Sequence, residues 1–131
     1  MITFLKPEEQ HQHPNGGGWV ANTATVNASA FVAPDARVFD NARVFDNALV
    51  SGNALVSGNA RVSDNAQVSG SAQLFGDAQL VGNAQLFGNA RVHGNAWLSG
   101  NARASGNARV SGSAQLSGDA QLFGNARVYG S

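Results

Sequence analysis

The side chains with chemistry to offer in this chain are three histidines, seven arginines and a set of aromatic residues. His11 and His13 stand two apart, close to Glu8 and Glu9. On extended backbone that spacing points both imidazoles to one side, and imidazole with carboxylate is a metal-binding set. A functional zinc site also wants a third ligand and an outer layer of hydrogen bonds. Neither is visible, so these two are read as solvated side chains of an N-terminal arm. His93 is the one other histidine. A general base needs a group that orients it and a pocket that excludes water, and the surrounding sequence points to neither. The chain has no cysteine, which removes thiol nucleophiles, thiolate metal sites and disulfides. Gly16-Gly17-Gly18 leads into a strand pattern and not a helix N-terminus, so a phosphate loop is not read. No catalytic, cofactor-binding or metal-binding residue is assigned, and no small-molecule substrate is expected.

The arginines and aromatics are spaced by a repeat. From Val20 to Val128 a large apolar residue returns at every sixth position, 19 times, always Val or Leu except Ala104. With that residue as position one, position five is Ala at all 18 places from Ala24 to Ala126. Positions five and one are two apart, so on a strand they face the same way. An α-helix would rotate this apolar stripe by about 240° per hexad and scatter it. A meander of hairpins would leave the stripe uncovered, whereas a solenoid closes it upon itself. Three hexads make an 18-residue triangular coil about 4.8 Å thick, and the repeat gives about six such coils.

Positions three and four form the turn. Position three is Gly from Gly52 onward, Asp64 excepted, and position four is Asn at 11 of 19 places. Pro34 occupies position three, with φ fixed near −65°. That suits the first central residue of a type II turn, so positive φ is expected at position four, where Asn tolerates it. Asn residues 18 apart, such as Asn41 and Asn59, are expected to stack in ladders.

The phrase Val-x-Gly-Asn-Ala-x resembles the hexapeptide repeat of left-handed parallel β-helices over about 112 of the 131 residues. The resemblance implies the left hand, which spacing does not show. The insertion-free style behind Gly-Gly-Gly-Trp-Val is most similar to hexapeptide-repeat proteins of phages, prophages and bacteria, and implies such an origin. Hexapeptide acyltransferases resemble the coil but add excursion loops, a catalytic His between subunits and a helical C-terminal segment. The γ-class carbonic anhydrases add three zinc-binding His, and ice-binding solenoids show Thr-x-Thr ladders. This chain departs from all three patterns.

Dividing the hexads by three assigns each strand to a wall. One wall carries Trp19, Arg37, Leu55, Gln73, Arg91, Arg109 and Arg127 before position one, and Ala21, Phe39, Ser57, Phe75, His93, Ser111 and Tyr129 after it. Trp97 stands on the second wall, between Gln79 and Gln115. Aromatic residues suit any β-surface, but aromatics and Arg together are also what contact surfaces favour. Arg37, Phe39, Phe75, Arg91, His93, Arg109, Arg127 and Tyr129, with Trp97, are therefore the candidate interaction residues. Their expected partner is a protein or a second copy of the chain. Eight basic and eight acidic side chains balance, so no field draws nucleic acid or an anionic membrane.

Residues 1–18 are read as an N-terminal capping segment and 19–131 as one all-β, single-domain parallel β-helix. Ile2 and Phe4 alternate as a short capping strand would, Lys6 to Gly18 reads as a loop or flexible arm, and Trp19, with part of residues 1–18, is expected to cover the first coil. The start lacks a basic region followed by an apolar run, so the cytoplasm is expected, with a virion location as the alternative. The repeat is still in phase at Tyr129-Gly130-Ser131, and an uncovered coil is a template for another chain. Self-association, or membership of a longer protein, is the expectation. The chain is thus expected to be a non-enzymatic scaffold or interaction rod. The alternatives are a small phage-encoded inhibitor gripping a host protein by its Arg/aromatic wall, and a degenerate acyltransferase-like trimer.

Overall fold

Each hexad contributes a strand of two or three residues, and the remaining residues bend the chain into the next wall. The computed structural model describes residues 10–129. Within them the chain is a parallel β-solenoid of about six coils with three walls. Wall A has eight strands, from Gln10–Gln12 and Trp19–Ala21 through Arg91–Val92 and Arg109–Ser111 to Arg127–Tyr129. Wall B runs from Thr25–Val26 to Gln115–Leu116 and wall C from Phe31–Val32 to Gln121–Leu122, six strands each.

The register advances 18 residues per coil: Arg37 lies beside Leu55, and Leu55 beside Gln73. Backbone hydrogen bonds hold that register through the bends as well as the strands. Phe39 N donates to Val56 O at 2.8 Å, Asn41 N to Gly58 O at 3.0 Å and Arg43 N to Ala60 O at 2.9 Å. Positions one and five point inward, and from Ala30 to Val110 they are buried essentially completely. Alanine keeps the corners tight, and Leu74, Leu80, Leu86 and Leu98 are the largest side chains filling the axis. Truncating one of them, as in Leu80→Ala, would cost about 2–5 kcal/mol by lost burial and the cavity left behind.

The turn geometry differs from the sequence expectation. Positive φ falls at position three and not at position four: Gly52 has φ 62° and Asp40, Asp46 and Asp64 have 58°, 58° and 60°. The first central residue is therefore the left-handed one, which a type II turn does not allow. Pro34 misled because it belongs to the first coil, where Asn22, Ala28 and Pro34 all lack positive φ. There the turn is tied differently. Thr23 Oγ1 donates to Asp40 O, and Ser29 Oγ donates to Asp46 O at 2.5 Å. In later coils the position-four amide makes the equivalent bond, as Asn47 N does to Asp64 O at 3.0 Å.

Glycine is required at position three by two facts together. A Cβ on Gly88 would lie 2.8 Å from Gly106 N, and Gly88 has φ 67°. Aspartate replaces it where its carboxylate can help. Asp40 Oδ2 accepts from Gly58 N at 3.0 Å, Asp46 Oδ2 from Asp64 N at 3.2 Å and Asp64 Oδ2 from Gly82 N at 3.1 Å. A short polar side chain that bonds locally is what makes the left-handed region tolerable for a non-Gly residue. Position-four Asn stacks instead: Asn83 donates to Asn101 at 3.4 Å and Asn101 to Asp119 at 3.2 Å. A carboxylate has no proton to pass on, so Asp119 ends that ladder and Asp77, accepting from Asn59 at 3.1 Å, ends another.

The described part of the arm is ordered structure and not a flexible loop. Gln10–Gln12 pairs antiparallel with Trp19–Ala21 and adds one strand to wall A. Residues 13–18 then fold over the first strand of wall C, with Gly18 N donating to Val32 O at 2.8 Å and Val32 N to Asn15 O at 3.1 Å. A Cβ on Gly16 would sit 2.2 Å from Val32 O, and one on Gly18 2.2 Å from Val32 Cγ1. Gly16 and Gly18 are there for close approach, and Gly17, where a Cβ would meet nothing within 4 Å, for its φ of 81°. Trp19 itself is 37% exposed, so the covering is done by the hairpin and the turn rather than by the indole. The capping strand expected around Ile2 and Phe4 lies outside the described residues.

Two substitutions separate the two demands on position three. Gly118 also has positive φ, but a Cβ there meets nothing within 4 Å. Gly118→Ala should cost about 1–2 kcal/mol for the left-handed backbone alone. Gly88→Ala should cost about 1–3 kcal/mol more, because it also pushes a coil off its neighbour. Urea denaturation of both variants measures the difference.

Candidate interaction face

Wall A gathers most of the candidate residues. Arg37, Arg91, Arg109 and Arg127 lie in its position-six column, all exposed. Phe39, Phe75, His93 and Tyr129 lie two residues along, in the next column that faces outward. Arg91 pairs with Arg109 and Arg109 with Arg127, so three guanidinium side chains leave adjacent strands in register. Trp97, 45% exposed, is on wall B beside Gln79 and Gln115. The structure does not bring it to the other candidates.

The electrostatics of wall A follow from where the carboxylates are. Among the described residues every Asp occupies a turn: Asp35, Asp40, Asp46, Asp64, Asp77 and Asp119. None stands on a wall. The corners that flank wall A carry Asp35, Asp40 and Asp77, all in coils before Arg91. The last three arginines of the wall therefore face outward with like charges opposite one another, an arrangement that weakens a sheet. At the same column position the chain elsewhere uses neutral Gln, as at Gln73, Gln79 and Gln85.

The aromatic column is organised too. The rings of Phe75 and His93 stack with centroids 4.9 Å apart and planes 12° from parallel. That separation is the strand spacing of a sheet, so the rings are held by the ladder beneath them. Both are half-buried, whereas Tyr129 is 70% exposed.

The two N-terminal histidines do not form a pair. His11 is exposed, with Nδ1 2.7 Å from Asn22 Oδ1. His13 is buried, and its Nε2–H donates to Ala30 O at 2.7 Å. Asn15 Nδ2 donates to the same carbonyl at 3.1 Å. His13 is thus part of the cap, satisfying a carbonyl at the second corner of the first coil, and two-residue spacing gave no sign of that. Among the described residues no three His, Asp or Glu side chains lie close enough together to hold a metal ion. Among the described residues no helix is long and apolar enough to cross a membrane.

The fold and its displayed walls define a β-solenoid scaffold, with its interior given over to packing. The chain belongs to the family described as the YdcK beta-solenoid repeat, whose model matches residues 36–52, 42–58, 56–70, 60–76, 84–100, 102–118 and 120–131, more than half the chain. Neither a curated protein nor a solved structure matches it.

The unneutralised arginines give a stability prediction. Arg109→Gln should stabilise the fold by ~0.5 kcal/mol at low salt by removing the middle of three like charges. The gain should vanish near 1 M salt, where screening reaches within the strand spacing. Thermal melts at two salt concentrations read both.

Proposed function

We propose that this protein works without catalysis, as a rigid rod whose wall A is a contact surface for a protein partner. The observation that supports this most is the paired columns on that wall. Four arginines and four rings stand in fixed register on one stiff sheet, and each residue type is favoured at contact surfaces. The rod gives them preorganisation, because each strand that carries them is hydrogen-bonded to a coil on both sides, or on one side for the last strand, Arg127–Tyr129. His93 fits this role better than that of a base. Its ring is packed against Phe75, which makes it part of a surface. A side-by-side contact between two copies through wall A would press four guanidinium groups of one against four of the other, so a partner carrying negative charge suits the wall better.

Capture from a bacterial extract by the tagged chain tests the reading. The variant Arg91→Glu with Phe75→Ser should lose a partner that the parent retains. A matched pair on wall C, Arg103→Glu with Phe87→Ser, should keep it. Equal loss, or equal capture, by the two variants rejects wall A as the contact. A thermal shift with acetyl-CoA would overturn the non-catalytic part.

A further inference from the structure

The turn of the N-terminal cap holds the one Asn-Gly pair in the chain. Asn15 is followed by Gly16, whereas every position-four Asn of the repeat is followed by Ala. The difference is chemical. The side-chain amide of an asparagine can be attacked by the main-chain nitrogen of the next residue, which closes a cyclic imide. A side chain on the attacking residue hinders the closure, and glycine, with no Cβ, hinders it least.

The cap fixes both partners in that reaction. Gly16 has no slower substitute, because its φ is 112° and a Cβ would sit 2.2 Å from Val32 O. Packing of the cap on the first strand of wall C thus puts the least hindered nucleophile directly after Asn15. That nucleophile is also uncommitted. Among the described residues Gly16 N donates to no backbone carbonyl, whereas Gly17 N donates to His13 O at 2.9 Å and Gly18 N to Val32 O at 2.8 Å. Asn15 is exposed, so water reaches the ring once it forms. Its Nδ2 is held by Ala30 O at 3.1 Å and more loosely by Ser29 O at 3.5 Å. Bonds at an exposed turn open far more often than those of the coils.

We propose that Asn15-Gly16 is a self-modifying site, which converts to aspartate and isoaspartate without an enzyme and thereby releases the cap from wall C. Gly16 N bonds to Asn15 Cγ and the Cγ–Nδ2 bond breaks. Nδ2 departs as ammonia, carrying the proton that Gly16 N gave up. One water molecule then opens the imide. Opening at Cγ leaves aspartate, and opening at the main-chain carbonyl leaves isoaspartate, whose chain runs through Cβ and Cγ. Either product undoes a contact of the cap. Ionised aspartate has no proton to give, so a carboxylate replaces the donor that faced Ala30 O. Isoaspartate takes the Asn15 carbonyl out of the main chain, and that carbonyl accepts from Val32 N at 3.1 Å. It also lengthens the chain just before Gly16, which has no room to move toward Val32. The inference is independent of wall A as a contact surface.

Ageing the full chain in mildly alkaline buffer tests it, with peptide mass spectrometry to locate each change of amide to acid and enzymatic methylation to count isoaspartate. Asn15 should convert at least about tenfold faster than any position-four Asn. In the converted fraction the amides of Gly18 and Val32 should exchange with deuterium at least about tenfold faster, while those of Arg43 and Arg61, within the rod, keep their rates. Asn15→Gln, whose longer side chain closes the ring poorly, should neither convert nor gain exchange over the same time. If that variant does not hold the cap at the outset, the parent aged in mildly acidic buffer, where the attacking amide keeps its proton, is the unconverted comparison. Conversion at Asn15 no faster than at the asparagines of the repeat overturns the site. Conversion with unchanged exchange at Gly18 and Val32 overturns the release of the cap.

Discussion

Everything in this molecule is subordinate to the spacing between one coil and the next. Backbone amides reach carbonyls 17 residues on, in the strands and around the corners alike, and those bonds tolerate only one separation. The corners are where the spacing is hardest to keep. A position-three residue lies almost in contact with its equivalent one coil later, so a Cβ there would press on backbone atoms. Glycine meets the requirement by having no side chain. Aspartate meets it by bonding the next coil's amide, as Asp46 does with Asp64 N. The apolar interior follows from the same constraint. Coils held this close leave an axis just wide enough for Val or Leu with Ala at the corners, and close packing penalises departure in either direction.

A rod of this kind is legible in sequence to the extent that its contacts are periodic. The hexad, the inward Ala and Val or Leu, and the allocation of strands to three walls could all be read by counting, because a hydrogen-bonded coil of fixed length makes residues 18 apart neighbours. Where periodicity ends, counting failed. Pro34 suggests one turn type for every corner, yet the first coil has its own, tied by the hydroxyls of Thr23 and Ser29. Gly16-Gly17-Gly18 looked flexible by composition. The reason for Gly16 and Gly18 is Val32, which approaches from 14 or more residues away, and the reason for Gly17 is its positive φ. His13 likewise owes its burial to the carbonyl of Ala30, a contact that no local spacing encodes.

The candidate face was legible in its membership and not in its physics. Which residues share wall A follows from the repeat, and Trp97 could be set apart on the same ground. Counting also places every described Asp at a corner position, but the sequence reading drew its electrostatics from the total charge and did not bring out that Arg91, Arg109 and Arg127 lack a partner of opposite sign on their wall. Nor did it show that Phe75 and His93 stack. Net charge concealed the first point. Equal numbers of acids and bases sum to zero over the chain, but what a ligand meets is the local arrangement, and at coil resolution the arginines of the last strands stand together.

That arrangement bears on why such a wall would persist. Outward positions in a solenoid are nearly independent of the fold, since the register is held by backbone bonds and the interior by the other face of each strand. A column can therefore hold residues that cost nothing, such as the neutral Gln that recurs at position six. Three arginines in direct register are different, because each adds repulsion to its neighbour. Binding a partner of opposite charge, as proposed for this wall, would offset that repulsion. The stability of wall A and the negatively charged partner proposed for it are for this reason opposed, and a substitution that improves one should erode the other.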